Sequence, residues 1–204
     1  MLSFASSLRP ESEAFALFVT ENYDYKDKRS ILSKNAIEKI DSYLKKLKGK
    51  KNENFINSFD ITDKKKCFII KVNKKYENCY PEETGSSFFS YLKNLKDIEK
   101  IDLYIDSLIF DDQKLIKFCS EFIFGFNLKS YTFNKYKTLN KEKLNKKIDI
   151  KIITSQKDKI EKKYKYYDSI KEGVFLSRDL VSEPPNILNP KFYVKEIEKL
   201  SKIG

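Results

Sequence analysis

The amino-acid sequence predicts an α/β fold, with a mostly parallel sheet flanked by helices. Short apolar runs of strand length alternate along the chain with longer segments whose apolar residues recur at helical spacing. Hydrophobic residues make up 40% of the 204 residues, enough for one core and part of another. We expect an α/β domain over residues 1–156, a linker helix over 157–183, and the start of a second domain at 184–204.

The first half of the chain contains two predicted strands and two predicted helices. AFALFVT (Ala14–Thr20) and KCFIIKV (Lys66–Val72) are apolar runs that are typical of buried strands. A helix between them is predicted to begin at Ser33 and end at Gly49, and its apolar face consists of Ile37, Ile40, Leu44 and Leu47. A second helix is predicted over Ser86–Lys96, with one face formed by Phe88, Leu92 and Leu95.

The second half continues the alternation. Apolar and polar residues alternate in IDLYIDSLIF (Ile101–Phe110), which predicts a half-buried strand. Asp111 or Asp112 is then expected to cap a helix that Gly125 can end, with an apolar face of Leu115, Phe118, Cys119 and Phe122. IDIKIIT (Ile148–Thr154) is the last predicted strand.

Composition excludes several kinds of catalytic site. The chain has no histidine, which removes Ser-His-Asp and Cys-His nucleophiles, histidine general bases and histidine-containing zinc sites. Its three cysteines, Cys67, Cys79 and Cys119, form no CxxC pair and are expected to be reduced thiols of a cytoplasmic protein. We expect no signal peptide, and no apolar run approaches the ~18 residues that a membrane helix needs.

The basic charge comes almost entirely from lysine. The formal net charge is +11, yet only Arg9, Arg29 and Arg178 are arginine among 41 basic residues. Nucleic-acid readers favour arginine because its guanidinium makes bidentate contacts with bases and phosphates. Lysine spread along the whole chain indicates drift in an A/T-rich genome instead, and leaves weak nucleic-acid binding as the alternative.

The stretch FLSRDLVSEPPNILNP (175–190) predicts a helix, a rigid extended elbow and a new helix. The long charged helix before the elbow has an apolar stripe of Tyr167, Ile170, Val174 and Val181. Pro184 and Pro185 must end this helix. Asn189 is then expected to cap a helix that starts at Pro190 and carries Val194, Ile197 and Leu200.

Arg178 and Asp179 lie on the last full turn before this elbow. Adjacent residues on a helix do not face each other, so each needs its own partner. We expect the pair to fix the elbow rather than to act in catalysis.

The same stretch closely resembles the entry to the catalytic domain of the leucyl (cytosol) aminopeptidase family, where an Arg-Asp-Leu-Val/Ile run ends in Asn/Ser-x-Pro-x-Asn. The matching residues are Arg178, Asp179, Leu180, Val181, Pro184, Asn186 and Pro190. A second segment, Glu121–Thr138, is similar to a family segment with Tyr-x-Phe-x-x-Tyr-Lys, through Gly125, Leu128, Tyr131, Phe133, Tyr136 and Lys137. The resemblance covers residues from about 120 to 204 well, and residues 1–110 only by the order of strands and helices.

The resemblance implies a two-domain hydrolase that removes amino-terminal residues from peptides with two divalent metal ions, Mn or Zn. Its ligands would be Asp and Glu carboxylates and one Lys, in motifs containing Asp-Ser-Gly-Gly and Asn-Thr-Asp-Ala-Glu-Gly-Arg. The chain contains neither motif. We therefore assign no catalytic, cofactor-binding or metal residue. The resemblance also implies a homohexamer organised mainly by the catalytic domains, and no membrane association is expected.

Two further local patterns carry no site. The adjacent acidic pairs Asp111-Asp112 and Glu82-Glu83 are better explained as a helix cap and a solvated helix start. The family's amino-terminal domain resembles a macro domain, but Lys71–Tyr80 stands where the family has a Gly-rich turn. With five glycines in the chain, we expect no phosphate cradle and no ADP-ribose binding.

Two interpretations remain. The first is the amino-terminal domain of a leucyl aminopeptidase-like metalloenzyme with the first helices of its catalytic domain, inactive by itself. The alternative is a stand-alone, non-catalytic binding domain that contacts nucleic acid through its lysines. The coding sequence beyond Gly204 distinguishes them, because metal-ligand motifs there favour the enzyme.

Overall fold

The computed structural model of the protein describes residues 3–26, 31–49, 54–76, 80–138 and 147–201. Its strands are β1 (Ser3–Ala5), β2 (Ala14–Thr20), β3 (Ile56–Thr62), β4 (Lys65–Val72), β5 (Lys100–Tyr104) and β6 (Asp149–Ile153). Its helices are α1 (Lys34–Gly49), α2 (Tyr80–Lys93), α3 (Asp112–Ser130), α4 (Lys157–Ser182) and α5 (Pro190–Leu200).

The strands form one sheet in the order β1-β6-β5-β2-β4-β3. Every neighbouring pair is parallel except β3 and β4, which are antiparallel. The predicted α/β fold is therefore confirmed, although β1 and β3 were not predicted. No described helix is long and apolar enough to cross a bilayer.

The central strand β2 supplies side chains to two cores. Successive strand residues point to opposite faces of the sheet. Phe15 and Leu17 accordingly pack on the face covered by α1, with Ile40 and Leu44. Phe18 packs on the opposite face, which α2, α3 and the start of α4 cover, with Phe68, Phe88, Phe118, Phe122, Ile160 and Tyr164. Ile160 and Tyr164 thus extend this core beyond residue 156.

Helix α3 does not end at Gly125, contrary to the prediction from sequence. The helix continues to Ser130, because Gly125 serves as a contact point with α2 and not as a stop. A Cβ atom at Gly125 would lie 2.0 Å from the carbonyl oxygen of Glu82, and one at Gly85 would lie 1.9 Å from that of Phe122. The two glycines therefore let the backbones of α2 and α3 touch.

The N-terminus of α2 also differs from the prediction. The helix begins at Tyr80, six residues before the predicted Ser86, and has Pro81 in its first turn. Proline is well tolerated there, since the missing N–H would have no partner within the helix. The predicted end of this helix at Lys96 comes three residues too late.

The segment Ile101–Phe110 is not the half-buried strand that its alternation predicted. The strand ends at Tyr104, a 3-10 turn follows over Ile105–Ser107, and polar residues of the segment are buried. Asp102 is one of these, and it forms an ion pair with Arg9 (Nε to Oδ1, 2.6 Å). The polar residues are therefore satisfied by protein partners instead of water.

Asp106 and Ser107 tie neighbouring strands together at the carboxyl end of the sheet. Thr154 Oγ1 donates to Asp106 Oδ1 (2.6 Å), and Ser155 N donates to Asp106 Oδ2 (2.8 Å). Ser107 Oγ donates to Phe18 O (3.0 Å) and accepts from Phe18 N (2.9 Å). A buried polar group costs little when its hydrogen bonds are made in this way.

Candidate functional site

Two segments that are far apart in sequence meet at the C-terminal end of α4. They are residues 131–136, which follow α3, and residues 178–183, which end α4. We call the side chains that join them the junction cluster: Tyr131, Lys135, Tyr136, Arg178, Asp179 and Glu183. Both segments contain residues that carried the family resemblance, so the structure brings the two motifs into contact.

Arg178 and Asp179 have separate hydrogen-bond partners, as their adjacent positions predicted, although both also contact Tyr131. Arg178 Nη1 donates to the carbonyl oxygen of Leu128 near the C-terminus of α3 (2.7 Å), where a cation is favoured. Its guanidinium carbon lies 5.4 Å from the ring centroid of Tyr131. The hydroxyl of Tyr131 in turn donates to Asp179 Oδ1 (2.7 Å). Tyr131 therefore links both residues to α3.

Glu183 forms the second half of the junction cluster. Its carboxylate accepts from Lys135 Nζ (2.5 Å) and from the hydroxyl of Tyr136. These hydrogen bonds, with Lys135 the larger cause, hold the pKa of Glu183 below its usual value. Glu183 stands directly before Pro184, so these bonds fix the last residue before the elbow.

The elbow and the following helix have the predicted geometry. Helix α4 ends at Ser182, and Glu183 has extended backbone angles (φ −70°, ψ 135°) as a residue before proline should. Asn189 Oδ1 accepts from Phe192 N (3.0 Å), which confirms it as the N-cap of α5, and Pro190 occupies the first turn.

Helix α5 presents its apolar residues to solvent. The structure buries none of its side chains, and the exposed apolar residues here are Tyr193, Val194, Ile197 and Leu200. Val181, at the end of α4, is 86% exposed. Exposed apolar residues of this kind make the end of α4 and helix α5 a candidate contact surface.

The acidic pairs form no metal site in the described part of the chain. Asp111 caps α3 by accepting from Lys114 N (2.9 Å), while Asp112 accepts from Gln156 Nε2 (2.7 Å). Glu83 is exposed, whereas Glu82 is partly buried against α3, so the expected solvated helix start holds only for Glu83. No group of three or more His, Cys, Asp or Glu residues that could hold a metal ion occurs among the described residues.

Aromatic and lysine side chains occupy the carboxyl end of β4, where the family has a Gly-rich turn. The ring of Tyr76 stacks on that of Tyr80 (centroids 5.5 Å apart). Lys114 Nζ lies 5.0 Å from the Tyr76 centroid and 4.7 Å from that of Phe110, and donates to Lys74 O (2.5 Å). Ligands of open α/β sheets bind outside the carboxyl ends of the strands. The described residues at this edge offer aromatic packing rather than a glycine-lined phosphate cradle.

The described cysteines are buried and free, as predicted. Cys67 lies in β4 and Cys119 in α3, and burial raises the pKa of both thiols. Neither is thereby suited to act as a nucleophile, because the thiolate is the reactive form. Cys79 lies outside the described residues.

Comparisons with known proteins agree with the two-motif resemblance. No protein-family model matches the chain. It is 34% identical to a probable cytosol aminopeptidase of Agrobacterium fabrum over 114 aligned residues. The aligned region covers 54% of this chain and 22% of that protein. A probable cytosol aminopeptidase of Phytoplasma mali is 31% identical over 144 residues, 67% of the chain and 28% of that protein. The chain thus spans about a quarter of the length of these relatives.

Solved structures with the same fold cover almost the whole chain. The match to a tomato leucine aminopeptidase mutant covers 99% of this chain and 42% of the tomato protein, with a TM-score of 0.71 and 18% identity. The bottromycin maturation enzyme BotP matches 94% of the chain and 37% of its own, with a TM-score of 0.60 and 10% identity. The resemblance to the leucyl (cytosol) aminopeptidase family is therefore confirmed, and the fold matches the amino-terminal domain of leucine aminopeptidase.

Proposed function

We propose that this chain is the amino-terminal portion of a leucyl aminopeptidase-like metallo-exopeptidase, which removes amino-terminal residues from peptides. The observation that carries the proposal is the junction cluster. Its residues come from the two segments that resemble the family, and they contact each other where the family's catalytic domain begins. The relatives' names support an aminopeptidase, and the chain corresponds to only part of each relative.

The role that we assign to the junction cluster is to set the direction in which the chain leaves the α/β domain. Tyr131 holds the last turns of α4 through Asp179, and Lys135 holds Glu183. Two prolines then stiffen the elbow, and Asn189 starts α5 at a defined point. A second domain attached after α5 would therefore be held in a set orientation.

The exposed apolar residues of this region fit the same role. Val181, Val194 and Ile197 are each about half exposed or more. We propose that they pack against the catalytic domain, since burial of such side chains is favourable by about 25 cal/mol per Å² of apolar surface. The described helices α4 and α5 would then connect the two domains of the enzyme.

The residues of this chain do not fit the metal centre that the family implies, since they provide no cluster of ligands in the described part. We assign the two divalent metal ions, Mn or Zn, to the catalytic domain beyond residue 204. A structure of BotP in complex with Mn, with the same fold, supports metal chemistry in such enzymes. The 204-residue chain would accordingly be inactive alone. The family resemblance further suggests that the full enzyme is a cytoplasmic homohexamer organised mainly by its catalytic domains.

The coding sequence after residue 204 tests this proposal. We expect it to continue in frame and to encode the Asp-Ser-Gly-Gly and Asn-Thr-Asp-Ala-Glu-Gly-Arg motifs. A stop codon directly after Gly204 would contradict the proposal and favour the stand-alone binding domain.

A further inference from the structure

The contact between α2 and α3 lies beside two glutamates, Glu82 on α2 and Glu121 on α3. Gly125 lies against the backbone of Glu82, and a Cβ atom at this glycine would lie 2.5 Å from Cα of Glu82. Glu121 precedes Gly125 by four residues, so it lies one turn away on the same face of α3.

Glu121 and one carboxylate oxygen of Glu82 are shielded from water. Glu121 is only 7% exposed. Glu82 Oε2 is fully buried, and it has no hydrogen-bond partner among the described residues. The nearest described cation is Lys117, whose Nζ lies 3.8 Å from Glu121 Oε1 and whose side chain is half exposed. A buried carboxylate oxygen without a partner is costly while the group is charged.

Helix α4 contacts one member of the pair, Glu121. The hydroxyl of Tyr167 donates to Glu121 Oε1 (2.9 Å), and its ring packs on Phe124 of α3 (centroids 5.3 Å apart). Among the other titratable groups, Glu83 on α2 raises the pKa of Glu82 and Lys117 lowers it. Besides burial, both glutamates raise the pKa of Tyr76 after β4, with Asp111, and that of Tyr167, with Tyr166. Burial raises the pKa of Tyr76 to about 12 and also raises that of Tyr167, so both tyrosines stay neutral near neutral pH.

We propose that Glu82 and Glu121 form an acid-responsive contact, in which protonation of Glu82 tightens the packing of α2, α3 and α4. When Glu82 takes up a proton, its desolvated charge disappears, and so does its repulsion of Glu121, which accepts from Tyr167. As pH rises, both carboxylates are charged and repel each other across the α2–α3 contact. The expected consequence is a weaker hold on α4, the helix that leads to the elbow.

The direction of the pH dependence follows from the raised pKa of Glu82. Burial is the main cause of this rise above the ordinary value of 4.5, and the charge of Glu121 adds to it. The folded protein therefore binds a proton more readily than the unfolded chain does. The contribution of Glu82 to stability is therefore greatest below pH 4.5, and it decreases as the pH rises through the pKa of Glu82 in the folded protein.

Glu82→Gln tests the proposal, with Glu83→Gln as the matched control. Both variants lose one negative charge from the first turn of α2, but only Glu82 faces α3. At pH 7.5 we expect Glu82→Gln to raise Tm by about 1 to 3 °C relative to the unsubstituted chain, and this difference to shrink towards zero near pH 4.5. Glu83→Gln should show no such pH-dependent difference.

A second measurement connects the pair to α4. Hydrogen exchange of residues 160–175 should be slower in Glu82→Gln than in the unsubstituted chain at pH 7.5. In a Glu121→Gln background the gain from Glu82→Gln should be smaller but not abolished, because the repelling charge is gone while the burial of Glu82 remains. Equal gains in both backgrounds, or a pH-independent effect of Glu82→Gln, would overturn the proposal.

Discussion

The hydroxyl of Tyr131 donates a hydrogen bond of 2.7 Å to Asp179, a residue 48 positions further along the chain. Each residue belongs to one of the two segments that resemble the leucyl aminopeptidase family. The bond shows why both segments carry recognisable sequence: they form one structural unit that joins α3 to the elbow. A motif without catalytic groups can be explained by this structural role.

Tyr131→Phe should loosen the elbow without unfolding the domain. The substitution keeps the ring contacts with Phe175 and Arg178 but removes the hydrogen bond to Asp179, at a cost of about 0.5–1.5 kcal/mol. Hydrogen exchange should become faster in residues 175–183. Tyr166→Phe is the control, because Tyr166 is 66% exposed and its hydroxyl has no hydrogen bond recorded in the described part of the chain. Equal exchange in both variants would argue against the assigned role of Tyr131.

Gly125→Ala and Gly173→Ala should have opposite effects on stability. A Cβ at position 125 would meet the backbone of Glu82, so α2 and α3 must separate, and we expect a loss of about 3 kcal/mol or more. Position 173, in an exposed part of α4, has no neighbouring atom within 4 Å of such a Cβ. Alanine there should stabilise by about 0.5–1 kcal/mol through its helix propensity.

Urea unfolding of the two glycine variants gives the comparison directly. If Gly125→Ala were as stable as Gly173→Ala, the close contact between α2 and α3 would be wrong. The acid-responsive contact proposed above would then lose its geometric basis as well.

Asp102→Asn should be the most damaging isosteric change among the charged residues discussed above. Asp102 is fully buried and accepts from both the backbone N–H and Nε of Arg9, each at 2.6 Å. Removing its charge leaves the buried guanidinium with Asp149 as its remaining carboxylate partner, and breaking such a pair costs about 3–5 kcal/mol.

Asp60→Asn provides the matched control for this ion pair. Asp60 pairs with Lys66 at 2.6 Å, but its side chain is largely exposed, and such pairs contribute at most about 1 kcal/mol. The Tm of Asp102→Asn should therefore lie clearly below that of Asp60→Asn. Similar Tm values would mean that the Arg9 site is not the buried anchor seen in the structure.

The region after the elbow should open more readily than the rest of the described chain. Helix α5 buries none of its side chains, whereas Ile160 and Tyr164 tie the start of α4 into the core. Helices gain most of their stability from packing. Trypsin should accordingly cleave first after Lys191, Lys195 or Lys199. Initial cleavage within residues 1–156 would show that the tail is not the least stable part.

The sequence predicted the elements whose signals are local. The apolar run of β2, the helix ending at Gly49, and the Asn189 cap of α5 follow from neighbouring residues, and the structure confirms them. The α/β class followed from their alternation. The edge strand β1 is only three residues long, and β3 contains Asn, Ser and Asp, so neither gave an apolar signal.

The wrong predictions concern residues whose partners are distant in sequence. From the sequence, Gly125 was predicted to end a helix; in the structure, it packs against the backbone of Glu82. Asp102 and Asp106 read as solvent-facing positions, yet Arg9 and Thr154 satisfy them from other strands and loops. The junction cluster was missed as a unit for the same reason, although Tyr131, Tyr136, Arg178 and Asp179 were named separately. The resemblance of both segments to one family was the signal that could have suggested their contact.

Metal-dependent hydrolysis of a leucyl peptide tests the central claim most directly. The assay should compare the purified 204-residue chain with the product of the complete reading frame, each with added Mn²⁺ and with chelator. We predict no turnover by the 204-residue chain and chelator-sensitive turnover by the longer protein. Chelator-sensitive turnover by the 204-residue chain, or its absence from a folded, metal-loaded longer protein, would contradict the account.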